Sequence, residues 1–176
     1  MMTRALAAVV LAAALAGCST ASHPPLALAG KVDLARFMGD WYVIASIPTF
    51  IEKDAYAAVE SYRLAPDGRI ETTFTFRAGG FDGAEKRYTP VATVADPATN
   101  AVWRMQFLWP FAADYRIVHV APDYSITVVA RERRDYAWIM ARTPALPEAE
   151  FTALAALLRA QGYDTTKLRK VPQFPS

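Results

Sequence analysis

Cys18 is the most reactive type of side chain in this sequence, and few other residues could support catalysis. It is the one cysteine of the chain, so no intrachain disulfide can form. The histidines are His23 and His119, which are too few for a multi-histidine metal site. The sequence contains no G-x-S-x-G, H-E-x-x-H or Walker A motif. We therefore predict no catalytic residues, no metal site and no cofactor; a haem or a hydrolase triad would depend on His119 alone.

The position of Cys18 predicts a covalent modification. It ends the segment Leu15-Ala16-Gly17-Cys18, which follows the apolar run 5–16 and one positive charge at Arg4. A bilayer span needs about 20 residues, so this run is too short to cross and is typical of a signal-peptide core. The segment resembles the lipobox of bacterial lipoproteins. The resemblance implies that the Cys18 thiol carries a diacylglyceryl group, that acyl chains such as palmitate are attached, and that the chain is cut before it.

The lipobox resemblance divides the chain into three parts. We expect a lipoprotein signal peptide at 1–17, a lipidated tether at 18–31 and one folded domain at 32–176. Ser19, rather than Asp, after the cysteine resembles lipoproteins sorted to the outer membrane, so we expect a lipid anchor in that bilayer on its periplasmic side. The formal net charge is only +2, which argues against nucleic acid as a partner.

The elements that position the remaining candidates are strands followed by one helix. Short alternating runs are separated by turn residues, which is typical of an all-β barrel or sandwich. The connections are too short for the crossover helix that parallel neighbours need, so we expect an antiparallel meander. The predicted strands are 41–47, 57–64, 69–77, 86–94, 101–108, 115–120, 125–131 and 136–142.

One amphipathic helix is predicted after the last strand. Pro147 suits a first helical turn, and Gly162 suits the position just after the helix. Four apolar side chains between them fall on one helical face, which should pack on the outside of the barrel. These side chains are Phe151, Leu154, Leu157 and Leu158. The tail 171–176 is expected to be extended.

Three segments resemble the lipocalin family. Gly39-Asp40-Trp41 is similar to its G-x-W signature at the start of the first strand. Asp114-Tyr115 enters a late strand where lipocalins carry a T-D-Y-like segment, although Ala113 replaces the Thr. The segment 136–144 resembles the last strand of the bacterial lipocalin and apolipoprotein D group. Over residues 32–172, the resemblance implies an eight-stranded antiparallel up-and-down β-barrel with one C-terminal α-helix packed outside.

The resemblance also implies structural roles for three residues. Trp41 would plug the closed end of the barrel, and Arg142 would lie across its ring in a cation–π contact of roughly 0.5–2 kcal/mol. Gly39 has no Cβ, so the preceding turn can approach the barrel base. Pairing of the first strand with the last would leave the sheet without an exposed edge.

Strand alternation predicts which side chains point into this barrel. An eight-stranded barrel is either filled by side chains or holds one small ligand. The inward set is aromatic and apolar, which suits a fatty acid, a lysophospholipid or a similar amphiphile. Glu60 is expected inward or at the rim. The candidate ligand-binding residues are Phe74, Phe76, Trp103, Met105, Phe107, Tyr115, Ile117, Tyr136, Trp138 and Met140, and the phase of Tyr115 and Ile117 continues to His119.

Three interpretations of function remain open. The first is a membrane-anchored protein that stores or transports hydrophobic ligands in the cell envelope. The second is an envelope stress or structural adaptor protein. The third, a lipocalin-fold enzyme, is disfavoured because no catalytic motif is present, although fold alone does not determine function. Trp109-Pro110-Phe111 at the barrel mouth could contact lipid, form a homodimer or pack as a hydrophobic turn.

Overall fold

The strands form one antiparallel sheet within residues 23–174, the part of the chain that a computed structural model describes. Cys18 and the predicted signal peptide 1–17 lie outside the described residues. The strands are β1 (Gly39–Ile47), β2 (Ala55–Leu64), β3 (Ile70–Ala78), β4 (Glu85–Tyr88), β5 (Val91–Val94), β6 (Val102–Leu108), β7 (Phe111–Val120), β8 (Ile126–Ala130), β9 (Ala137–Ala141) and β10 (Arg169–Lys170). The helices are α1 (Leu34–Phe37), α2 (Glu148–Ala160) and a 3-10 turn at Thr165–Lys167.

The sheet closes into an eight-stranded barrel. Successive strands pair in chain order, and β9 pairs back onto β1. β4 and β5 share one position in this order, because β4 pairs with the second half of β3 and β5 with the first half. Pro90 separates them, since proline has no N–H to donate to the ladder. The short β10 pairs with β1 alone. The predicted antiparallel all-β barrel is confirmed.

A bulge in β7 changes the inward phase that simple alternation predicts. The register of β7 against β8 shifts between Ile117 and His119. Tyr115 and Ile117 belong to the interior cluster, but beyond the bulge it is Val120 that packs against this cluster. Val118 is buried on the outer side instead, beneath α2. The predicted common phase of Tyr115, Ile117 and His119 is therefore wrong at His119, because the extra residue reverses the alternation.

Helix α2 covers one side of the barrel from outside, as predicted. Leu154 and Leu158 are buried in one cluster with Val128 and Ile139 of the barrel wall. The helix begins at Glu148 and is followed by Gly162, which has a φ of +90°. Glycine adopts such a positive φ without strain, and this conformation ends the helix and turns the chain back toward the barrel. Among the described residues, no helix is long and apolar enough to cross a bilayer.

Part of the predicted tether lies against the barrel. Leu26 is buried in the cluster beneath α2. The Gln161 side chain accepts a hydrogen bond from the Ala27 N–H at 2.9 Å and donates one to the Ala27 carbonyl oxygen at 3.3 Å. The Ala29 N–H donates to the Ile117 carbonyl oxygen at 3.0 Å. The chain is therefore in contact with the folded domain before residue 32, where the predicted domain begins.

The C-terminal tail occupies a gap between β1 and β2. The Ala57 N–H donates to the Pro172 carbonyl oxygen at 2.7 Å. The Gln173 side-chain amide donates to the carbonyl oxygens of Val43 at 2.8 Å and Ala58 at 3.2 Å. These bonds satisfy backbone groups where the β1–β2 ladder, which covers only the first part of β1, has ended. The tail therefore completes the barrel wall near its open end.

Candidate ligand-binding site

The closed end of the barrel is built around Trp41. Its indole is fully buried, and its Nε1 donates a hydrogen bond to the Phe37 carbonyl oxygen at 2.9 Å. The guanidinium carbon of Arg142 lies 3.7 Å from the centroid of the Trp41 ring, within cation–π range. Trp41 belongs to the first strand and Arg142 directly follows the last, so this contact joins the two ends of the barrel wall.

Arg142 also holds the turn that precedes β1. Its guanidinium donates hydrogen bonds of 2.7 to 3.1 Å to the carbonyl oxygens of Arg36, Phe37, Met38 and Asp40. Gly39 lies inside this ring of carbonyls with a φ of +95°, and a Cβ built there would lie 3.3 Å from Arg142 Nη1. The close approach of Gly39 to Arg142 shows that the closed end is tightly packed. The hydrogen bonds come from a charged donor and are therefore stronger than neutral ones, so they also satisfy the charge of Arg142.

A layer of aromatic rings separates Trp41 from the interior cavity. The ring centroids of Phe37, Tyr62 and Trp103 lie 5.4 to 5.6 Å from one another, in tilted and edge-on geometries that aromatic pairs favour. The Trp103 Nε1 donates to the Asn100 carbonyl oxygen at 2.8 Å. The hydroxyls of Tyr62 and Tyr115 form a hydrogen bond with each other. This layer lies beneath the floor of the cavity, which is lined by Glu60 and Tyr115.

Above the floor, the barrel contains an open cavity of about 560 Å³, a volume typical of small-molecule sites. Its walls come from β2, β3, β4, β6, β7 and β9 and from the connections β1–β2 and β8–β9. The aromatic residues that line it are Phe50, Phe74, Tyr88, Phe107, Tyr115, Tyr136 and Trp138. Such a surface can bind an apolar chain through burial and dispersion.

The cavity brings together six of the ten predicted ligand-binding residues. They are Phe74, Met105, Phe107, Tyr115, Tyr136 and Trp138. The other four, Phe76, Trp103, Ile117 and Met140, do not line it and are buried in the interior cluster. Alternation places a side chain inside the barrel but does not say how far along the axis it lies, and Trp103, Ile117 and Met140 lie toward the closed end, where the interior is filled. Phe76 lies nearer the mouth than Phe74 and packs against the Phe74 and Tyr88 rings. Ligand contact by the six stays a prediction.

Glu52 lies in the cavity wall, and sequence reasoning missed it because it belongs to the irregular β1–β2 connection. Its side chain is 4% exposed. One carboxylate oxygen accepts the Thr49 N–H at 2.9 Å, and the other accepts the Trp138 Nε1–H at 3.2 Å. The carboxylate is therefore held in place by neutral donors. The only feature of the sequence that could have pointed to Glu52 as a cavity residue is its position shortly after an apolar strand.

Glu60 of β2 faces the cavity, where it was expected inward or at the rim. Burial in the barrel raises the pKa of its carboxyl from 4.5 to about 8. The neighbouring Tyr62 hydroxyl acts in the opposite direction, and the negative charge of Glu52 raises the pKa further. The same burial, followed by the charge of Glu60, raises the pKa of the Tyr62 and Tyr115 hydroxyls well above the usual value. At neutral pH the floor therefore carries a protonated carboxyl group beside two neutral phenols.

The other charged groups of the cavity wall are paired. Asp114 contacts Arg116 at 3.0 Å. Arg131 lies 3.5 Å from Asp135, and its guanidinium carbon lies 5.1 Å from the centroid of the Tyr136 ring. Among the described residues, no ion pair within 4.0 Å involves the side chain of Glu52 or Glu60. The cavity therefore has acidic groups without a protein counter-charge.

Large aromatic side chains are exposed around the mouth. Phe50 and Trp109 are each 80% exposed, Phe111 is 74% exposed and Phe107 is 55% exposed. They belong to the connections β1–β2 and β6–β7 or to the adjoining strand ends. Trp109-Pro110-Phe111 is thus an exposed apolar turn rather than a packed one. His119, the only histidine predicted within the barrel, is absent from the cavity wall.

Comparison with known proteins relates this architecture to one family. The lipocalin-like domain family matches residues 32–173. The temperature-induced lipocalin-1 of Arabidopsis thaliana is 32% identical over 155 residues, which cover 81% of this chain and 80% of that protein. The outer membrane lipoprotein Blc of Citrobacter freundii is 27% identical over 169 residues, which cover 96% of this chain and 95% of that protein.

A third relative and a solved structure extend the comparison. Apolipoprotein D of Bos taurus is 30% identical over 154 residues, which cover 83% of this chain and 78% of that protein. The structure of insecticyanin from the tobacco hornworm Manduca sexta superposes on this chain with a TM-score of 0.66 at 17% sequence identity. The superposition covers 88% of this chain and 87% of insecticyanin, and this similarity supports the fold alone. By its matched domain and its barrel, the chain belongs to the lipocalin-like domain family.

Proposed function

We propose that this protein is a membrane-anchored carrier that stores or transports fatty acids, lysophospholipids or similar single-chain amphiphiles in the cell envelope. The observation that carries the proposal is the aromatic cavity of about 560 Å³, which opens at one end of the barrel. A chain of low water solubility is stabilised there because its apolar surface leaves water. Binding, rather than catalysis, is also in keeping with relatives named lipocalins and lipoproteins.

The proposed anchor is an acylated Cys18. Two considerations support it, namely the lipobox resemblance of the segment ending at Cys18 and the outer-membrane lipoproteins among the relatives. Several acyl chains hold a protein on a bilayer far better than a single one. An anchored barrel would exchange ligand with the nearby membrane over a short aqueous distance.

Ligand extraction tests the carrier function directly. The purified protein is extracted with organic solvent, and amphiphiles are identified by mass spectrometry. The stripped protein is then titrated with a lysophospholipid while tryptophan fluorescence and heat are followed. We expect saturable binding with a fluorescence change from Trp138, which lines the cavity. Trp138→Phe should lose most of the fluorescence change and keep the heat, whereas a wild-type protein that returns no amphiphile and shows no heat would contradict the proposal.

Membrane fractionation tests the anchor separately. Cys18→Ala should move the protein from the membrane fraction to the soluble fraction. The soluble protein should bind the same amphiphiles, because Cys18 precedes every residue of the barrel. A Cys18→Ala protein that stays with the membrane would contradict lipid anchoring at this position.

An adaptor function is the second candidate, and the exposed mouth aromatics favour it. Trp109 and Phe111 are 80% and 74% exposed and do not line the cavity, so a ligand inside it would leave them uncovered. A partner protein or a second copy of the chain could bury them. Wild type and Trp109→Ser should then differ in sedimentation or in the envelope proteins with which they co-purify. Equal behaviour of the two would leave only the carrier function.

A further inference from the structure

The two glutamates of the cavity make its polar chemistry unusual for a site that would hold fatty acids. Glu52 is almost completely buried, and its carboxylate is oriented by the Thr49 N–H and the Trp138 Nε1–H. Glu60 faces the same cavity from β2. The charge of Glu52, joined by that of Glu60 once it ionises near pH 8, would repel a ligand carboxylate, because like charges interact strongly where water is excluded.

Neither of the nearby arginines forms an ion pair with the Glu52 or Glu60 carboxyl group within 4.0 Å among the described residues. Arg131 contacts Asp135 and the Tyr136 ring. Arg169 donates from Nη2 to the backbone carbonyl oxygen of Glu52 at 3.2 Å and forms no ion pair within 4.0 Å among the described residues. A buried carboxylate without a counter-ion is costly, and a cation supplied by a ligand would remove that cost.

Aromatic faces complete the environment that a cation prefers. The rings of Tyr115 and Trp138 lie 6.4 Å apart between centroids with an interplanar angle of 22°, and the Tyr136 ring lies 6.5 Å from that of Trp138. All three line the cavity together with the glutamates. An ammonium group is attracted to such faces by the ring quadrupole, and aromatic cages of this kind bind quaternary ammonium groups.

We propose that the cavity binds amphiphiles through an ammonium group, which is held by the carboxylates of Glu52 and Glu60 and by the aromatic faces of Tyr115 and Trp138. This inference rests on the proposed carrier function and names the head-group class that the same cavity selects. A permanently charged alkylammonium is accepted, and a free fatty acid of the same chain length is disfavoured.

Protonation of Glu60 makes the proposal testable by pH. The titratable or charged groups that share its surroundings are Tyr62, Tyr115, Glu52, Tyr88, Asp114, Arg131 and Tyr136. Of these neighbours, the charge of Glu52 adds to the burial that keeps Glu60 protonated near neutral pH, and Tyr62 acts against it. An ammonium group binds best to the ionised form, so its affinity rises as Glu60 loses its proton.

The experiment compares three probes with the same dodecyl chain: dodecyltrimethylammonium, dodecanoate and dodecanol. Binding to the chain 18–176 carrying Cys18→Ser is measured by calorimetry near pH 7 and near pH 9. For a carboxyl that titrates near pH 8, we expect dodecyltrimethylammonium to bind about tenfold more tightly at the higher pH. Dodecanoate should bind more weakly there, and dodecanol should change little.

Two variants assign the effect to the glutamates. Glu60→Gln keeps the shape of the side chain and should abolish the pH dependence for both charged probes. Glu52→Gln should weaken the binding of dodecyltrimethylammonium at both pH values. It should also move the midpoint of the pH dependence to a lower pH, because it removes the negative charge that opposes ionisation of Glu60. Glu150→Gln, on the exposed face of α2, is the matched control and should behave as wild type.

The outcomes separate this inference from the proposed function. Tighter binding of dodecanoate than of dodecyltrimethylammonium near pH 9, or an unchanged pH dependence in Glu60→Gln, overturns the ammonium site. If dodecanol still binds, the carrier function survives that result. If none of the three probes binds, the carrier function fails and the ammonium site fails with it.

Discussion

The two ends of the barrel use the same kinds of side chains for opposite purposes. At the closed end, Phe37, Trp41 and Trp103 are fully buried, and the Phe37 ring packs against both indoles. At the open end, Phe50 and Trp109 project into solvent. The residue type alone therefore does not show whether an aromatic side chain belongs to the core or to a functional surface. Its position along the barrel axis does.

The charged residues show the same contrast. The guanidinium of Arg142 lies on the Trp41 ring and donates to the carbonyl oxygens of five residues, so protein groups satisfy its charge. The carboxyl groups of Glu52 and Glu60 share a cavity without a paired cation among the described residues. A satisfied charge stabilises the fold, whereas an unsatisfied one leaves interaction energy available to a ligand. We therefore expect mutations at the closed end to affect stability and mutations at the open end to affect binding.

The largest effect is expected at the closed end. Trp41→Ala removes a fully buried indole and the ring beneath Arg142, and it should lower the free energy of unfolding by about 3–5 kcal/mol. Denaturant unfolding followed by circular dichroism measures the change. A Trp41→Ala protein with an unchanged unfolding midpoint would show that the closed end is not the stabilising region.

The second effect concerns the cavity, where ionisation of Glu60 should make the free energy of unfolding depend on pH. Its folded pKa of about 8 lies above the value of 4.5 expected in the unfolded chain. Its contribution to stability is therefore fully present below about pH 4.5 and is lost progressively as the pH rises to about 8. The loss should be on the order of 2–4 kcal/mol.

Glu60→Gln provides the comparison for this pH dependence. The variant cannot ionise, so its stability relative to wild type should increase between about pH 5 and about pH 8 and then stay constant. Thermal or denaturant unfolding across this range gives the difference at each pH. A difference that does not change with pH would mean that the Glu60 carboxyl is well solvated.

A smaller effect on the free energy of unfolding is expected at Tyr163, just after α2, whose hydroxyl contacts the β8–β9 connection. The Tyr163 hydroxyl accepts the Arg131 N–H at 2.7 Å and donates toward the carbonyl oxygens of Arg131 at 2.8 Å and Tyr136 at 3.1 Å. Tyr163→Phe should cost about 1–3 kcal/mol, because buried backbone groups lose their partner. The control is Tyr56→Phe, whose ring packs on Phe81 at 5.3 Å between centroids. An equal cost in both variants, measured by denaturant unfolding, would show that the hydroxyl does not secure the β8–β9 connection.

The smallest effect on stability is expected at the rim. Trp109 is 80% exposed, so Trp109→Ser should change the free energy of unfolding by less than about 0.5 kcal/mol. The same unfolding experiment compares it with Trp41→Ala. A large destabilisation by Trp109→Ser would erase the distinction between the two ends.

Much of the fold could be predicted from local patterns. Alternating runs between turn residues predicted the strands, and the helical spacing from Phe151 to Leu158 predicted α2 and its position outside the barrel. The lipocalin resemblance of the segments that contain Gly39, Trp41 and Arg142 implied that these residues meet at the closed end, and the three are in contact there. These features depend on short-range periodicity or on a motif, and both can be read in a single sequence.

The sequence alone thus determined the fold class, the closed end and the apolar character of the interior. Only the tertiary structure decided that Trp103 and Ile117 lie in filled core while Tyr115 and Trp138 line a cavity. It also placed Glu52 in the same cavity wall as Glu60 and put His119 out of phase through the β7 bulge. The physical reason is that alternation determines which face of a strand a side chain occupies, whereas depth in a barrel depends on how all strands are staggered when the sheet closes.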